Sequence, residues 1–161
     1  MASNLKNLND TSHLKSLPKA GNNRFGIVCS QWNTTITDSL YQAVRNTLMK
    51  HGVKKKHIKT LQVPGSFELI LGAQSLAMKK NIDAVICLGC VIKGETPHFE
   101  FISQAVANGI AQLNIKYNKP VIFGVLTTDT LLQAKERSGG KHGNKGTEAA
   151  ITAIHMADLS T

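Results

Sequence analysis

An incomplete phosphate-loop pattern and a histidine lie close together in the middle of the chain. Residues 89–96, GCVIKGET, nearly match G-x-x-x-x-G-K-[ST], but Glu95 occupies the position of the required lysine. Hydrolysis of nucleoside triphosphates is therefore not supported, although a glycine-containing turn before a helix can offer backbone N–H groups to a simpler phosphate. His98 falls at the expected helix start, where the helix dipole favours a neutral imidazole that can relay protons. A plain loop and a capping histidine are the alternative interpretations.

Three cations flank a glycine-rich turn near the carboxyl terminus. Arg137, Lys141 and Lys145 surround residues 139–146. A guanidinium group matches phosphate with two parallel hydrogen bonds, so these residues could clamp an anionic ligand. The alternative is a solvated basic linker between two helices.

Two further positions could contact an organic ligand. Trp32 is the only tryptophan and follows a predicted strand. It is either a platform on which a planar ring stacks or a partly buried anchor. Glu68 follows Ser66 and Phe67 at a predicted helix start. Its carboxylate either complements the helix dipole or accepts hydrogen bonds from a polyhydroxylated ligand.

The three cysteines do not indicate a metal or a disulfide framework. Cys87 and Cys90 form a C-x-x-C pair, and Cys29 stands alone in a predicted strand. If both members of the pair lie in one strand, their odd separation puts the two sulfurs on opposite faces of the sheet. Buried structural thiols and a reducing, cytoplasmic setting are therefore expected.

Apolar segments alternating with amphipathic segments must position these residues. Short apolar strands that alternate with helices are typical of a parallel sheet covered on both faces, and thus of a doubly wound, three-layer α/β/α sandwich with four strands. Ligands bind such folds outside the carboxyl ends of the strands, here residues 30–34, 63–67, 89–98 and 126–130. We expect a polar N-terminal arm over 1–23 and a single domain over 24–161. The predicted strands are 24–30, 58–63, 84–89 and 120–126, and the predicted helices are 35–51, 67–80, 98–117, 130–138 and 145–158.

The charge of the chain is strongly positive but uneven. The 161 residues carry a formal net charge of +9, mostly from the N-terminal tail and the lysine-rich segment 50–59. Aromatic residues are not interleaved with these lysines, so a solvated loop is favoured over a nucleic-acid surface. No apolar run is long enough for a membrane span, and the N-terminus has no apolar core of a secretory signal.

Five motifs follow one another along the chain: WN at 32–33, VPGSFEL at 63–69, GCVIKGETPHF at 89–99, VIFGVLTTD at 121–129, and ER at 136–137 with GNKG at 143–146. Together they resemble the lumazine synthase family of riboflavin biosynthesis. The resemblance covers residues 24 to 159 and implies a flavodoxin-like fold. It also implies condensation of 5-amino-6-(D-ribitylamino)uracil with 3,4-dihydroxy-2-butanone 4-phosphate to 6,7-dimethyl-8-ribityllumazine, phosphate and water, with no metal and no organic cofactor. Trp32 stands where the family often has Phe, and Ile70 replaces a frequent proline.

The resemblance also assigns a role to each matching position. His98 is implied to be the proton shuttle, and Glu95, Thr96 and Arg137 are implied to bind the butanone phosphate. The residues implied to hold the ribitylaminouracil are Trp32, Asn33, Ser66, Phe67, Glu68, Cys90, Val91, Ile92, Phe123 and Lys145.

Assembly is a further implication of the resemblance. In the family, the equivalents of Phe123, Arg137 and Lys145 reach the site from a neighbouring subunit of a pentamer. The short linker over 139–145 resembles that of members that build an icosahedral shell of sixty subunits, and riboflavin synthase is a further candidate partner. Three other interpretations stay open: a flavin- or nucleotide-binding module, a shell that holds acidic cargo, and, least favoured, a nucleic-acid-binding domain.

Overall fold

The architecture is a four-stranded parallel sheet with helices on both faces. The computed structural model describes residues 7, 9–10 and 17–159, so most of the predicted N-terminal arm lies outside the described residues. The elements in chain order are β1 (Phe25–Ser30), α1 (Thr34–Lys50), a 3-10 turn (Lys55–His57), β2 (Ile58–Val63), α2 (Leu69–Ala77), β3 (Ala84–Ile92), α3 (His98–Tyr117), β4 (Val121–Thr128), α4 (Leu131–Arg137), β5 (Ser138–Gly140), β6 (Gly143–Asn144) and α5 (Lys145–Leu159).

The strand order confirms the predicted doubly wound, flavodoxin-like sandwich. The order is β2-β1-β3-β4, and all neighbouring strands are parallel. The chain therefore moves from the centre to one edge and then returns past β1 to the other edge. This reversal creates a crevice at the carboxyl ends of β1 and β3, where ligands bind in folds of this type.

Two apolar layers, one on each face of the sheet, hold the sandwich together. Alternate residues of one strand point to opposite faces, so Ile27 packs in the layer under α1 and α5 whereas Val28 packs under α2 and α3. Ile86 and Cys87 of β3 divide in the same way. Because both faces are covered, the two central strands are apolar almost throughout, which explains their continuous hydrophobic sequence.

One glycine sets the distance between α1 and α5. A Cβ built on Gly146 would lie 2.2 Å from the backbone carbonyl oxygen of Leu40, closer than real atoms approach. The absence of a side chain lets the start of α5 contact the backbone of α1 directly. This contact fixes where Lys145 and the preceding hairpin stand relative to the sheet.

The structure differs from the sequence expectations at three places. Strand β3 continues to Ile92 rather than ending at Gly89, because Val91 and Ile92 pair with Thr127 and Thr128 of a longer β4. Helix α2 covers only 69–77, and the linker over 138–144 forms an antiparallel pair, β5 and β6, rather than a loop. Within the described residues, no helix is long and apolar enough to cross a membrane.

Candidate active site

A pocket of about 410 Å³ opens at the carboxyl ends of β1, β2 and β3. Its size suits a small organic ligand. Nine of the fourteen residues predicted for the site line it, so residues from four separate segments meet in one place. The lining residues are Trp32, Asn33, Gly65, Ser66, Phe67, Glu68, Cys90, Val91, Ile92, His98 and Ile102.

The turn after β1 holds an aromatic ring at the edge of the pocket. The backbone N–H of Trp32 donates to the carbonyl of Pro64 at 3.1 Å, and the indole is 68% exposed. Asn33 adopts a left-handed conformation with φ of 58°, and its Nδ2 donates to the carbonyl of Cys90 at 3.0 Å. The amide of Asn33 therefore ties this turn to the end of β3. The large exposure of the indole favours a stacking platform over a buried anchor.

Two glycines, Gly65 in the loop after β2 and Gly89 on β3, allow close contacts around this loop. Glu68 Oε2 accepts a hydrogen bond from the backbone N–H of Gly65 at 2.9 Å. A Cβ on Gly65 would lie 2.9 Å from that oxygen and 3.5 Å from the ring of Trp32. Gly89 on β3 lets Ser66 pack closely, since a Cβ there would lie 2.7 Å from Ser66 Oγ. Ser66 is buried, and Phe67 is half-exposed above the pocket.

The thiols next to the pocket are structural. Cys87 and Cys90 lie in β3 and belong to opposite apolar layers, which confirms the face argument from the sequence. Burial raises the pKa of Cys87 to about 12 and that of Cys90 to about 11. Burial likewise raises the pKa of Cys29 to about 11. Neutral thiols on different faces cannot share a metal ion or form a redox pair.

The loop from β3 to α3 leads directly into the histidine at the start of α3. His98 is the first residue of α3 and is exposed at the pocket wall. Glu95 and Thr96 lie just before it in an exposed loop. Within the residues that the structure describes, the backbone N–H groups of Glu95 and Thr96 have no hydrogen-bond partner. The loop can therefore offer two donors to an anion near the positive end of a twenty-residue helix.

Five predicted residues do not line the pocket of this single chain. Glu95 and Thr96 lie in the loop beside it, and Phe123 is partly buried on β4 opposite Cys87. Arg137 and Lys145 border the β5–β6 hairpin. One chain therefore brings together His98 and eight of the ten residues predicted to hold the ribitylaminouracil, but none of the three predicted to bind the butanone phosphate lines the pocket.

Arg137 is the last residue of α4 and directly precedes the β5–β6 hairpin. Among the described residues, no carboxylate lies within ion-pair distance of its half-buried guanidinium. Lys145 instead pairs with Glu148 one turn along α5, and Glu136 lies 3.7 Å from the imidazole of His142. Among the described residues, the guanidinium of Arg137 therefore has no acidic partner and is partly buried, whereas Lys145 is paired and Lys141 is exposed.

Two lining residues were missed from the sequence. Ile102 lies four residues after His98 on α3, and that spacing places two side chains on the same helix face. Gly65 separates Pro64 from Ser66, and only the close approach of Trp32 and Glu68 reveals why it has no side chain. The helical spacing could have identified Ile102, whereas the role of Gly65 depends on tertiary contacts.

The fold and the pocket are those of an α/β enzyme that binds small molecules. The pocket lies at the strand ends of a flavodoxin-like sandwich and is lined by an aromatic side chain and an exposed histidine. Comparison with known proteins narrows this class. The family model described as 6,7-dimethyl-8-ribityllumazine synthase matches residues 22–161. The chain belongs to this family of transferases.

Close relatives agree over nearly the whole chain. A protein of Cytophaga hutchinsonii named 6,7-dimethyl-8-ribityllumazine synthase is 58% identical over 156 residues, with 97% of each chain covered. Proteins with the same name from Parabacteroides distasonis and Porphyromonas gingivalis are 50% and 51% identical, covering 99% of this chain and 99% and 98% of theirs. The resemblance stated from the motifs is therefore confirmed at the level of the family.

Proposed function

We propose that this chain condenses 5-amino-6-(D-ribitylamino)uracil with 3,4-dihydroxy-2-butanone 4-phosphate at the pocket beside His98. The products are 6,7-dimethyl-8-ribityllumazine, inorganic phosphate and water, in the penultimate step of riboflavin biosynthesis. Family membership supports the reaction. The observation that carries its location is the meeting of nine predicted site residues around one cavity of ring-binding size.

The ribitylaminouracil would bind between the two aromatic residues. The exposed indole of Trp32 would offer a face to the pyrimidine ring, and Phe67 lines the same pocket. The carbonyls and N–H groups at the end of β3, from Cys90 to Ile92, would hold the edge of the ring. Glu68 keeps one carboxylate oxygen for Gly65 and has the other free to accept from ribityl hydroxyls.

The butanone phosphate would bind at the start of α3. Glu95 and Thr96 would donate backbone N–H groups to the phosphate oxygens, as the incomplete phosphate loop suggests. Arg137 would add a bidentate guanidinium, which neutralises the phosphate as it leaves. The loop beside His98 places this anion next to the ring pocket, so both reactants would be held in contact.

His98 would move the protons that the condensation requires. The 5-amino group attacks the ketone carbon and loses water to give an imine, which needs a proton on the departing oxygen. Loss of phosphate then follows removal of a carbon-bound proton, and the ribityl-bearing amine closes the ring with loss of further water. The imidazole of His98 at the start of α3 can accept and return a proton in each of these steps.

A homopentamer would complete the site. Three predicted residues, Phe123, Arg137 and Lys145, lie outside the pocket of one chain, and we propose that a neighbouring subunit supplies them. Exposed apolar side chains on two helices support an assembly of this kind. Leu71 of α2 is 71% exposed, and Phe101 and Ile115 of α3 are 69% and 85% exposed. An icosahedral shell of sixty subunits, riboflavin synthase as partner and a cytoplasmic location are finer parts of the same proposal.

Complementation between two inactive variants tests the shared site. His98→Ala and Arg137→Ala proteins are dissociated, mixed in equal amounts and reassembled. Suppose that each site takes His98 from one subunit and Arg137 from the next subunit of a closed ring. Each residue is then intact with a probability of one half, so about a quarter of the sites regain both residues. Condensation above that of either variant alone supports the proposal. Activity that is no higher after mixing shows that both residues serve one subunit.

A further inference from the structure

A second cavity, of about 480 Å³, lies at the other end of the sheet. Its lining includes residues just before the strands: Arg24 precedes β1, His57 precedes β2, and Ile82 lies two residues before β3. β1 and β2 are six residues long, so about 20 Å of strand separates this cavity from the candidate active site. We call this cavity the basic cleft. It is lined by Arg24, Lys56, His57, Lys59, Lys79, Lys80, Asn81 and Ile82.

The charge of the basic cleft is positive and unbalanced. Five of its eight lining residues are lysine or arginine, and none is acidic. Among the described residues, none of these five cations has a carboxylate within ion-pair distance. The nearby Asp83 does not line the cleft, and its Oδ2 accepts a hydrogen bond from the backbone N–H of Arg24 at 2.6 Å. Like charges held together around a cavity repel one another unless an anion lies between them.

Capping of α2 does not explain the lysines in the basic cleft. Cations often lie at a helix C-terminus because they satisfy its free carbonyls. Here Lys119 already does so, since its ammonium donates to the carbonyls of Ala77 at 2.8 Å and Lys79 at 2.7 Å. The side chains of Lys79 and Lys80 are additional to that cap and line the cleft. Arg24, Lys56 and Lys59 come from other parts of the fold, so no single helix accounts for the cluster.

We propose that the basic cleft binds a chain of three or more linked phosphates, such as inorganic tripolyphosphate or the triphosphate of a nucleotide. Five cations around one cavity match several adjacent phosphate charges, and the cavity is larger than one phosphate ion requires. Among the residues that the structure describes, no tryptophan, tyrosine or phenylalanine lines the basic cleft, so the phosphates rather than a stacked base carry recognition. The same lack of aromatic platforms disfavours single-stranded nucleic acid. This proposal is independent of the condensation reaction.

Calorimetric titration of the full-length protein with tripolyphosphate, ATP and orthophosphate tests the proposal. The protein carries Arg137→Ala, so that the candidate phosphate site of the condensation does not add to the signal. Tripolyphosphate should bind at least about tenfold more tightly than orthophosphate, because it engages several cations at once. Similar affinities for tripolyphosphate and ATP would identify the phosphate chain as the ligand. Binding of ATP that is at least about tenfold tighter than that of tripolyphosphate would show that the nucleoside carries recognition, and it would overturn the proposal.

Two matched double variants locate the binding. Lys56→Gln with Lys59→Gln removes two cations from the basic cleft, whereas Lys54→Gln with Lys55→Gln removes two neighbouring cations that do not line it. Both change the net charge equally. The cleft variant should bind tripolyphosphate at least about tenfold more weakly, and the control should stay within about twofold. An equal loss in both variants would show attraction by overall charge alone and overturn the proposal.

A second double variant keeps the test valid if the first one fails to fold. Lys79 and Lys80 are exposed after the end of α2, and Lys79→Gln with Lys80→Gln should weaken tripolyphosphate binding in the same way. Circular dichroism checks the fold of every variant. The same variants with Arg137 restored should retain condensation activity, because the cleft lies far from the pocket. Absence of any tripolyphosphate binding, or tighter binding of a single-stranded RNA than of tripolyphosphate, would overturn the proposal.

Discussion

Replacement of Asn33 separates two contributions that one residue makes to the candidate site. Its left-handed backbone, with φ of 58° and ψ of 47°, costs an ordinary L-residue about 1–2 kcal/mol, and Asn pays less of this cost than Ala. Its Nδ2 also donates to the carbonyl of Cys90, which contributes about 1 kcal/mol. Asn33→Ala loses both, so we expect the free energy of unfolding to fall by about 2 kcal/mol.

Asn33→Gly is the matched variant, because glycine adopts the left-handed conformation without strain but cannot make the bond. We expect a loss of about 1 kcal/mol for this variant, since the relief of strain is offset by the greater freedom of glycine in the unfolded chain. Asn33→Asp keeps the size of the side chain but turns an acceptor towards the carbonyl of Cys90. It should therefore destabilise at least as much as Asn33→Gly.

Thermal unfolding at one fixed protein concentration measures these differences, since the midpoint of an oligomer depends on concentration. A loss of 1 kcal/mol corresponds to about 2–4 °C for a chain of this size. The turn that carries Trp32 also loses its tie to β3, so KM for the ribitylaminouracil should rise in all three variants. An Asn33→Gly protein as unstable as Asn33→Ala, or an Asn33→Ala protein as stable as wild type, would refute the reasoning.

Three further predictions concern the phosphate, the helix contact and the thiols. Arg137→Ala should raise KM for the butanone phosphate by about tenfold or more and leave KM for the pyrimidine nearly unchanged, as steady-state kinetics with each substrate varied will show. Gly146→Ala should lower the free energy of unfolding by about 3 kcal/mol because its Cβ would meet a backbone carbonyl oxygen, whereas Gly94→Ala, with nothing within 4 Å, should stay within about 0.5 kcal/mol. Equal urea midpoints for the two alanine variants would contradict this. Burial raises the thiol pKa of Cys87 to about 12 and that of Cys90 to about 11. Above about pH 9 the unfolded chain therefore loses thiol protons that the folded chain keeps. The contribution of these thiols to the free energy of unfolding is present below that pH and is lost as the pH rises towards 12. The urea midpoint should therefore fall between pH 8 and 10.5 by more in wild type than in a Cys87→Ala, Cys90→Ala protein, and equal falls would contradict the assignment.

Periodicity and motif spacing predicted most of the fold. The predicted strand at 58–63 and the predicted helix at 98–117 match the structure because each has a clear apolar pattern and a clear end. The end of β3 was wrong by three residues, since Val91 and Ile92 look like loop residues until their pairing with β4 is known. The β5–β6 hairpin was missed because two short strands over glycines carry no apolar alternation.

Some residues of the candidate site could be predicted from the sequence, whereas the contacts between distant segments could not. Trp32, Glu68 and His98 could be chosen from the sequence, because each lies where a strand of a doubly wound sheet gives way to its helix. The hydrogen bond from Asn33 to β3 and the fit of Ser66 against Gly89 could not, since both join segments that are distant in sequence. The roles assigned to Arg137, Lys145 and Phe123 stay predictions.

The rate of lumazine formation from the two proposed substrates tests the central claim most directly. Absorbance and fluorescence follow the product, and the uncatalysed condensation is subtracted at every concentration. Wild-type protein should accelerate the reaction, and His98→Ala should lower kcat by about a hundredfold, with little change in either KM because His98 moves protons rather than binding the ring. Acceleration that is absent in wild type, or undiminished in His98→Ala, would contradict the assignment of the pocket beside His98 as the condensing site.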